Sequence, residues 1–205
     1  MEVLKLEFAK NAANLYSFKP MTGLKEKIQK EVFKTLKSQL GAANVWSLPR
    51  MKSLVVNVGL GRAVTASAKP EDIVKKVSAE LAAITGQKPV PTLAKQSIAS
   101  FKTREGMVIG LKVTLHGEKM YDFFERFIKI ALPRTRDFRG VAESAVDGSG
   151  NLNVGIKDHT VFPESSADAA HTFGLEFSVV MDTPGRKESL AFFKVLGFPF
   201  KKLEK

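Results

Sequence analysis

The sequence predicts an α+β fold in which helices back one face of a largely antiparallel sheet. Three observations carry this. Apolar residues alternate with polar ones at 54–61, 109–115, 152–156 and 175–181, the period of strands with one buried face. Elsewhere they recur every three or four residues, at 24–40, 70–85, 120–131 and 184–196, as on helices that bury one stripe. The two kinds of segment interleave irregularly around glycine-rich turns, unlike the strict alternation of a parallel βαβ fold.

In chain order, Met1 to Pro20 scatter Leu4, Phe8, Leu15 and Tyr16 among charges with no period. They are expected to be an N-terminal extension, ordered only against a partner, ahead of one domain over 21–205. Leu24, Ile28, Val32, Leu36 and Leu40 predict an amphipathic helix stopped by Gly41, with Lys25, Lys27, Lys30, Lys34 and Lys37 on its other face. Leu54, Val56 and Val58 share one face of the next strand, which leaves through Gly59 and Gly61, and Asn57 lies on the other face. Pro70 first, Glu71 and Asp72 in the first turn and Gly86 last mark a helix over 70–85.

Gly86-Gln87-Lys88-Pro89 turns the chain into a polar, basic loop with Lys95, Lys102 and Arg104 around Ile98 and Phe101. The loop feeds a strand whose inner face is Ile109, Leu111, Val113 and Leu115 and whose outer face is Gly110, Lys112, Thr114 and His116. Met120, Phe123, Phe124, Phe127 and Ala131 then line a helix that Pro133 is expected to close. That aromatic stripe reads as core. Arg134, Arg136 and Arg139 follow, then a turn from Val146 to Asn151 and the strand Leu152, Val154, Ile156. A polar loop through His171 leads to the strand Leu175, Phe177, Val179, Met181. Thr183 and Pro184 are placed to cap and start a last helix, with Leu190, Phe193 and Leu196 inward and Gly197 as its stop.

Composition narrows the function. With 32 Lys and Arg against 21 Asp and Glu, the net charge of +11 favours an anionic partner: nucleic acid, an acidic protein or a membrane surface. No apolar run approaches the ~20 residues of a membrane span, and the start lacks a basic n-region and apolar h-region, so a soluble, untargeted protein with no membrane partner is expected. The absence of cysteine excludes disulfides, thiolate metal sites and cysteine nucleophiles.

Catalytic patterns are weak. Val58-Gly59-Leu60-Gly61-Arg62 follows a strand, but Val64 stands where a dinucleotide fingerprint needs its third glycine. His116, His159 and His171 lack paired metal-ligand spacing, and surface polarity accounts for Asp158-His159-Thr160 more simply than a triad. No carboxylate pair has a spacing that suggests acid and base work. No cofactor, metal or enzymatic activity is expected.

Basic and amide side chains give a better-founded site. Asn57, Lys112, Thr114 and His116, with Arg134, Arg136 and Arg139, can form a polar, cationic surface that holds phosphates and hydrogen-bonds backbone or ribose. Unrelated surface charges that never share a face are the competing reading. The same holds for the lysines of the 91–104 loop, which also suit an ordinary solvated loop.

A resemblance bears on this choice. Val56-Asn57-Val58-Gly59-Leu60-Gly61, Gly86-Gln87-Lys88-Pro89, Lys95, Ser97-Ile98-Ala99, Phe101-Lys102, Arg104-Glu105-Gly106, Ile109-Gly110 and Lys112-Val113-Thr114-Leu115 are similar in order and spacing to one family. So are Leu132-Pro133-Arg134, Arg136 to Gly140, Asp147-Gly148, Gly150-Asn151, Gly155-Ile156-Lys157, Phe162-Pro163-Glu164 and Gly197 to Phe200. The chain resembles, over roughly 20–202, the large-subunit ribosomal proteins that bind 5S ribosomal RNA, the bacterial-type ribosomal protein L-five family.

The resemblance implies a non-catalytic constituent of the large subunit, cytoplasmic and ribosome-bound, that anchors 5S rRNA in the central protuberance beside large-subunit rRNA and other proteins of that region. It implies that Asn57, Gln87, Lys88, Lys112 and Thr114 lie toward 5S rRNA; Arg134 and Arg136, from their charge, are expected as further rRNA contacts. The 92–103 loop, with Lys95, Ser97, Phe101 and Lys102, would approach P-site tRNA. The 141–151 loop, with Asp147, Gly148 and Asn151, would meet the small-subunit head at ribosomal protein S-thirteen. The chain departs from the family at Leu93, Gln96 and His116, where cations are usual, and at Ser100, where glycine is common. A basic α+β nucleic-acid-processing enzyme is the alternative from another class.

Overall fold

A computed structural model describes residues 23–28, 32–41, 44–67, 69–165, 172–183 and 185–201. The first twenty residues, His171 and Pro184, on which parts of the sequence reading fall, lie outside them. The sheet has five strands in the order β2-β3-β1-β5-β4, every neighbouring pair antiparallel. They are β1 (Arg50–Gly59), β2 (Val90–Leu93), β3 (Val108–Leu115), β4 (Leu152–Ile156) and β5 (Leu175–Asp182). The predicted α+β class is the observed one. β1 occupies the centre and pairs with both β3 and β5.

Alternation explains why one face is covered. Leu54, Val56 and Val58 of β1, Leu111, Val113 and Leu115 of β3, and Leu175, Phe177 and Val179 of β5 are all buried. The helices packed there are α1 (Leu24–Lys27), α2 (Phe33–Leu40), α3 (Gly61–Ala66), α4 (Pro70–Thr85), α5 (Gly117–Arg126) and α6 (Arg186–Leu196). Phe127 meets Phe177 edge-on at 4.2 Å, Phe123 stacks on Phe162 at 5.8 Å, and Phe124 stacks on Phe198 at 6.0 Å. Each such ring, fully buried, stabilises the fold by about 2–3 kcal/mol through apolar burial alone. The aromatic stripe is core, as its spacing predicts.

Residues 29–31 of the first predicted helix lie outside the described residues, and α1 and α2 are its described parts. Leu24, Ile28, Val32 and Leu36 are buried as predicted, while Leu40 emerges at the glycine stop. The Glu125 carboxylate of α5 accepts from the Leu24 N–H at 3.1 Å, satisfying a donor the helix start leaves open. Pro133 does not close α5. A π-helical turn, Phe127–Ala131, follows α5, and a last turn, Leu132–Arg134, carries the proline near its own start, where a missing N–H costs nothing. At the far end, α6 begins at Arg186 after Gly185, and Thr183 makes no side-chain cap to its first turn.

The basic loop does not begin as a loop. Val90–Leu93 is an edge strand, β2, paired with β3 from Val90 opposite Lys112 to Leu93 opposite Val108. Pro91 is tolerated because an edge strand needs no donor on its outer side. His159 is not a surface residue either. It is buried, stacked on Phe173 at 4.0 Å, with Nε2 3.2 Å from the Glu80 carboxylate of α4.

Candidate nucleic-acid interface

Because the helices cover one face, the other is left open, and the register decides who meets whom on it. Lys112 stands opposite Asn57 on one side and Val90 on the other. Asn57 in turn faces Glu176, which faces Gly155. One row therefore runs Val90, Lys112, Asn57, Glu176, Gly155 across all five strands. A parallel row runs Thr114, Val55, Ser178, Asn153. Lys112, Asn57 and Glu176 are exposed and Thr114 half-buried.

Gln87 joins this surface. β2 ends its pairing at Lys112, so the Thr114 carbonyl has no strand partner on that side, and the Gln87 amide donates to it at 3.2 Å. Lys88 follows, exposed, in the turn between α4 and β2. At the other end of the face Gly59 and Gly110 leave a hollow of about 440 Å³ beside Asn57, Thr92 and Glu176. A Cβ at Gly110 would come within 2.7 Å of the Val58 carbonyl and 2.9 Å of Thr92 Oγ1, so the strands there approach as closely as glycine permits.

Arg134 and Arg136 are placed differently. Both are exposed, but they sit at and just beyond the end of the helical stretch that packs on the covered face, and the structure does not bring them into the Lys112–Asn57 row. His116, just past β3, is exposed with Nδ1 3.4 Å from the Lys52 carbonyl.

The β2–β3 connection is an arm. Ala94 fixes its base, donating to the Met107 carbonyl at 2.8 Å and accepting from Gly106 at 3.0 Å. Ile98 and Thr103 bridge its outer part around a 3-10 turn, Ala99–Phe101, and Lys102 takes a left-handed conformation with φ 52°. Ser97 Oγ accepts from the Glu105 N–H at 2.9 Å. Lys95, Ser97, Phe101 and Lys102 are all exposed on this arm, the Phe101 ring to 69%. Between arm and α3 lies a cleft of about 630 Å³, walled by Ile98, Phe101 and Ile109 with Arg62 and Lys95 at its sides.

In the third predicted region the side chains turn inward. Asp147 accepts from the Asn151 N–H at 2.8 Å and the Asn151 amide at 3.0 Å, and Asn151 Oδ1 accepts from Met181. Burial alone pushes the Asp147 carboxyl up. The bonds from Asn151, with backbone N–H groups of Ser149 and Gly150, outweigh it and hold the carboxyl below its ordinary range. Gly150 has φ +86°, and a Cβ there would fall 2.5 Å from Ser189 Oγ. Asp147 and Asn151 thus shape the loop, leaving Gly148 and Ser149 exposed at its tip.

Sequence reasoning missed Glu176 and Arg62. Alternation with Leu175 and Phe177 is the signal that would turn Glu176 to the open face, but only register sets it beside Asn57. Arg62 was visible only inside a glycine motif. Among the described residues no group of three His, Asp or Glu side chains could hold a metal, and no helix is long and apolar enough to cross a membrane.

The open sheet face and the hairpin arm, with Lys95, Phe101 and Lys102 exposed, are thus turned outward in an α+β protein of net charge +11. Residues 44–104 match the family described as Ribosomal protein L5, and residues 108–200 match the model of that ribosomal family's C-terminus. The chain is 44% identical over 179 residues to large ribosomal subunit protein uL5 of Leptospira biflexa, covering 87% of this chain and 96% of that one. It is 46% identical over 179 residues to the uL5 of Chloroflexus aurantiacus, with 87% and 97% covered. For the Thermus aquaticus uL5 the figures are 44% over 182 residues, with 87% and 97% covered. The chain belongs to the ribosomal protein L5 family, whose members are structural proteins rather than enzymes.

Proposed function

We propose that this protein is a structural constituent of the large ribosomal subunit that binds 5S ribosomal RNA on the open face of its sheet and anchors it in the central protuberance, in the cytoplasm. The observation that carries the reading is the direct opposition of Lys112 and Asn57, flanked by Gln87 bonded to Thr114. One cation for a phosphate, with amide and hydroxyl groups for ribose and backbone, is the side-chain set that recognises RNA by shape.

The arm carrying Lys95, Ser97, Phe101 and Lys102 extends toward P-site tRNA, its exposed ring and cations suited to base stacking and phosphate contact. The 141–151 loop meets the small-subunit head protein S-thirteen through the backbone of its tip, held in shape by Asp147 and Asn151. Arg134 and Arg136, on the helical side, contact large-subunit rRNA. No His stands in the two central rows to activate the Thr114 hydroxyl as a nucleophile, which favours this reading over a nucleic-acid-processing enzyme.

Affinity purification of the protein from cells tests the reading. 5S rRNA is expected to copurify, and its binding to fall steeply with salt as phosphate contacts release counterions. Purification free of 5S rRNA, or an affinity flat across salt, would refute it.

A further inference from the structure

Trp46 is 77% exposed, and it lies at the end of β1 away from Asn57. It precedes β1, whose first residue, Arg50, is seven positions from Asn57 and so about 23 Å from it along the strand. A single exposed apolar side chain is ordinary. What surrounds this one is not.

The Arg50 guanidinium lies 4.3 Å from the Trp46 ring centroid and 5.6 Å from that of Phe33 on α2. The guanidinium thus makes cation–π contact with both rings, and of the two the indole is the one exposed to solvent. The turn carrying the indole is tied down without any ligand. Asn44 Oδ1 accepts from the Trp46 N–H at 3.0 Å, and Ser47 Oγ donates to the Asn44 carbonyl at 2.7 Å. Leu48 and Pro49 behind it are buried. A ring already fixed in place loses little freedom when something stacks on it.

The rim is basic. Lys37 lies one turn beyond Phe33 on the same side of α2, with Lys34 beside it, both exposed. Lys25, which with Arg50 acts on the half-buried Tyr121 hydroxyl, adds one more cation at this end of the molecule, itself paired with Glu118 at 3.1 Å. An apolar protein partner calls for apolar neighbours around the indole. A flat aromatic in a cationic rim fits a base whose phosphates reach the lysines.

We propose that Trp46, backed by Arg50, is a stacking platform for an unpaired nucleobase of ribosomal RNA, a second RNA site separate from the open sheet face. The proposal rests on the reading of the protein as an rRNA-binding constituent, and its test separates the two. Trp46 is the only tryptophan of the chain, so indole emission reports on this position alone. The full-length protein is titrated with a 5S rRNA transcript and, separately, with a large-subunit rRNA transcript.

One of the transcripts is expected to quench the emission saturably. Trp46→Ala should weaken that RNA by about five- to a hundredfold, the range for one stacked base. Trp46→Phe should retain most of the affinity, which separates stacking from a folding defect, and the melting temperature of both variants guards the comparison. Quenching at saturation should survive Lys112→Ala. Tight RNA binding with unchanged emission, or wild-type affinity in Trp46→Ala for both transcripts, overturns the platform and leaves the sheet reading standing. Quenching that needs another ribosomal protein and no RNA overturns it in favour of a protein contact. Failure to bind either transcript overturns both.

Discussion

Lys112→Ala isolates the cation at the middle of the open face. The side chain is exposed, and its strand neighbours Asn57 and Val90 keep their backbone pairing without it. Folding stability should therefore change by no more than about 0.5 kcal/mol. RNA binding should change in a specific way. Each neutralised phosphate contributes about 0.9 to the slope of log K against log salt for a duplex, and about 0.7 for a single strand. Over a rise from about 50 to 200 mM salt, one duplex phosphate contact is worth about a 3.5-fold loss of affinity. The wild type should lose about that factor more than the variant in filter binding to 5S rRNA across the range. Glu176→Gln, which removes the anion on the far side of Asn57, should strengthen binding. Parallel salt lines for wild type and Lys112→Ala would refute a phosphate contact at this lysine, and unchanged affinity would remove the residue from the interface.

Three further outcomes are expected. Phe101→Ala should leave melting and 5S affinity unchanged, because the ring is 69% exposed on the arm, and should weaken P-site tRNA binding to reconstituted subunits; a loss of 5S affinity would show the two sites are wrongly divided. Asp147→Asn should cost about 1 kcal/mol at neutral pH through weakened bonds to the Asn151 side chain and loop backbone. Since the folded carboxyl titrates below its ordinary value, that stabilisation is present above the unfolded pKa and lost as pH falls through the folded one, so the melting difference between wild type and variant should close in acid. Gly155→Leu should fold normally, because a Cβ at Gly155 meets nothing within 4 Å, and should reduce 5S affinity by raising the relief of the face; unchanged binding would place the RNA off that end of the sheet.

What the sequence made legible was set by period. Strands β3 and β5 and helix α4 declare themselves through alternation, Pro70 and Gly86, because those signals act within one element. β2 was hidden by Pro91 and by having only four residues, too few to show a period. The continuation past Pro133 depends on a widened turn that tertiary packing of Phe127 and Leu132 holds in place, and no local signal announces it. His159 reads from sequence as an exposed polar residue because its partners, Glu80 and Phe173, are distant in the chain. The same division applies to the site. Alternation put Asn57, Lys112 and Thr114 on outer faces, whereas the opposition of Asn57 with Lys112, the bond from Gln87 to Thr114 and the presence of Glu176 follow from register and turn geometry. Arg134 and Arg136 were grouped with that face by charge alone, which carries no information about which side of the sheet a helix packs on.

The open face is unlike an ordinary solvated sheet face, and in the reading proposed above the difference sets how it would meet RNA. Its two central rows hold one cation, Lys112, and one anion, Glu176, among Asn57, Asn153, Thr114, Ser178 and Gly155. Gly59 and Gly110 lower the relief further at one end. A chain with net charge +11 therefore keeps most of its cations off the centre of this surface and carries Lys52, Lys88, Lys95 and Arg62 around and beyond it. In that reading the perimeter supplies long-range attraction, strongest at low salt and screened within about 10 Å at 0.1 M, and the centre supplies close fit, its short side chains leaving room for a sugar–phosphate backbone to approach and hydrogen-bond without displacing lysines. Affinity at this face should then be sensitive to bulk at the centre and to charge at the rim, two dependences that substitutions at Gly155 and Lys88 separate.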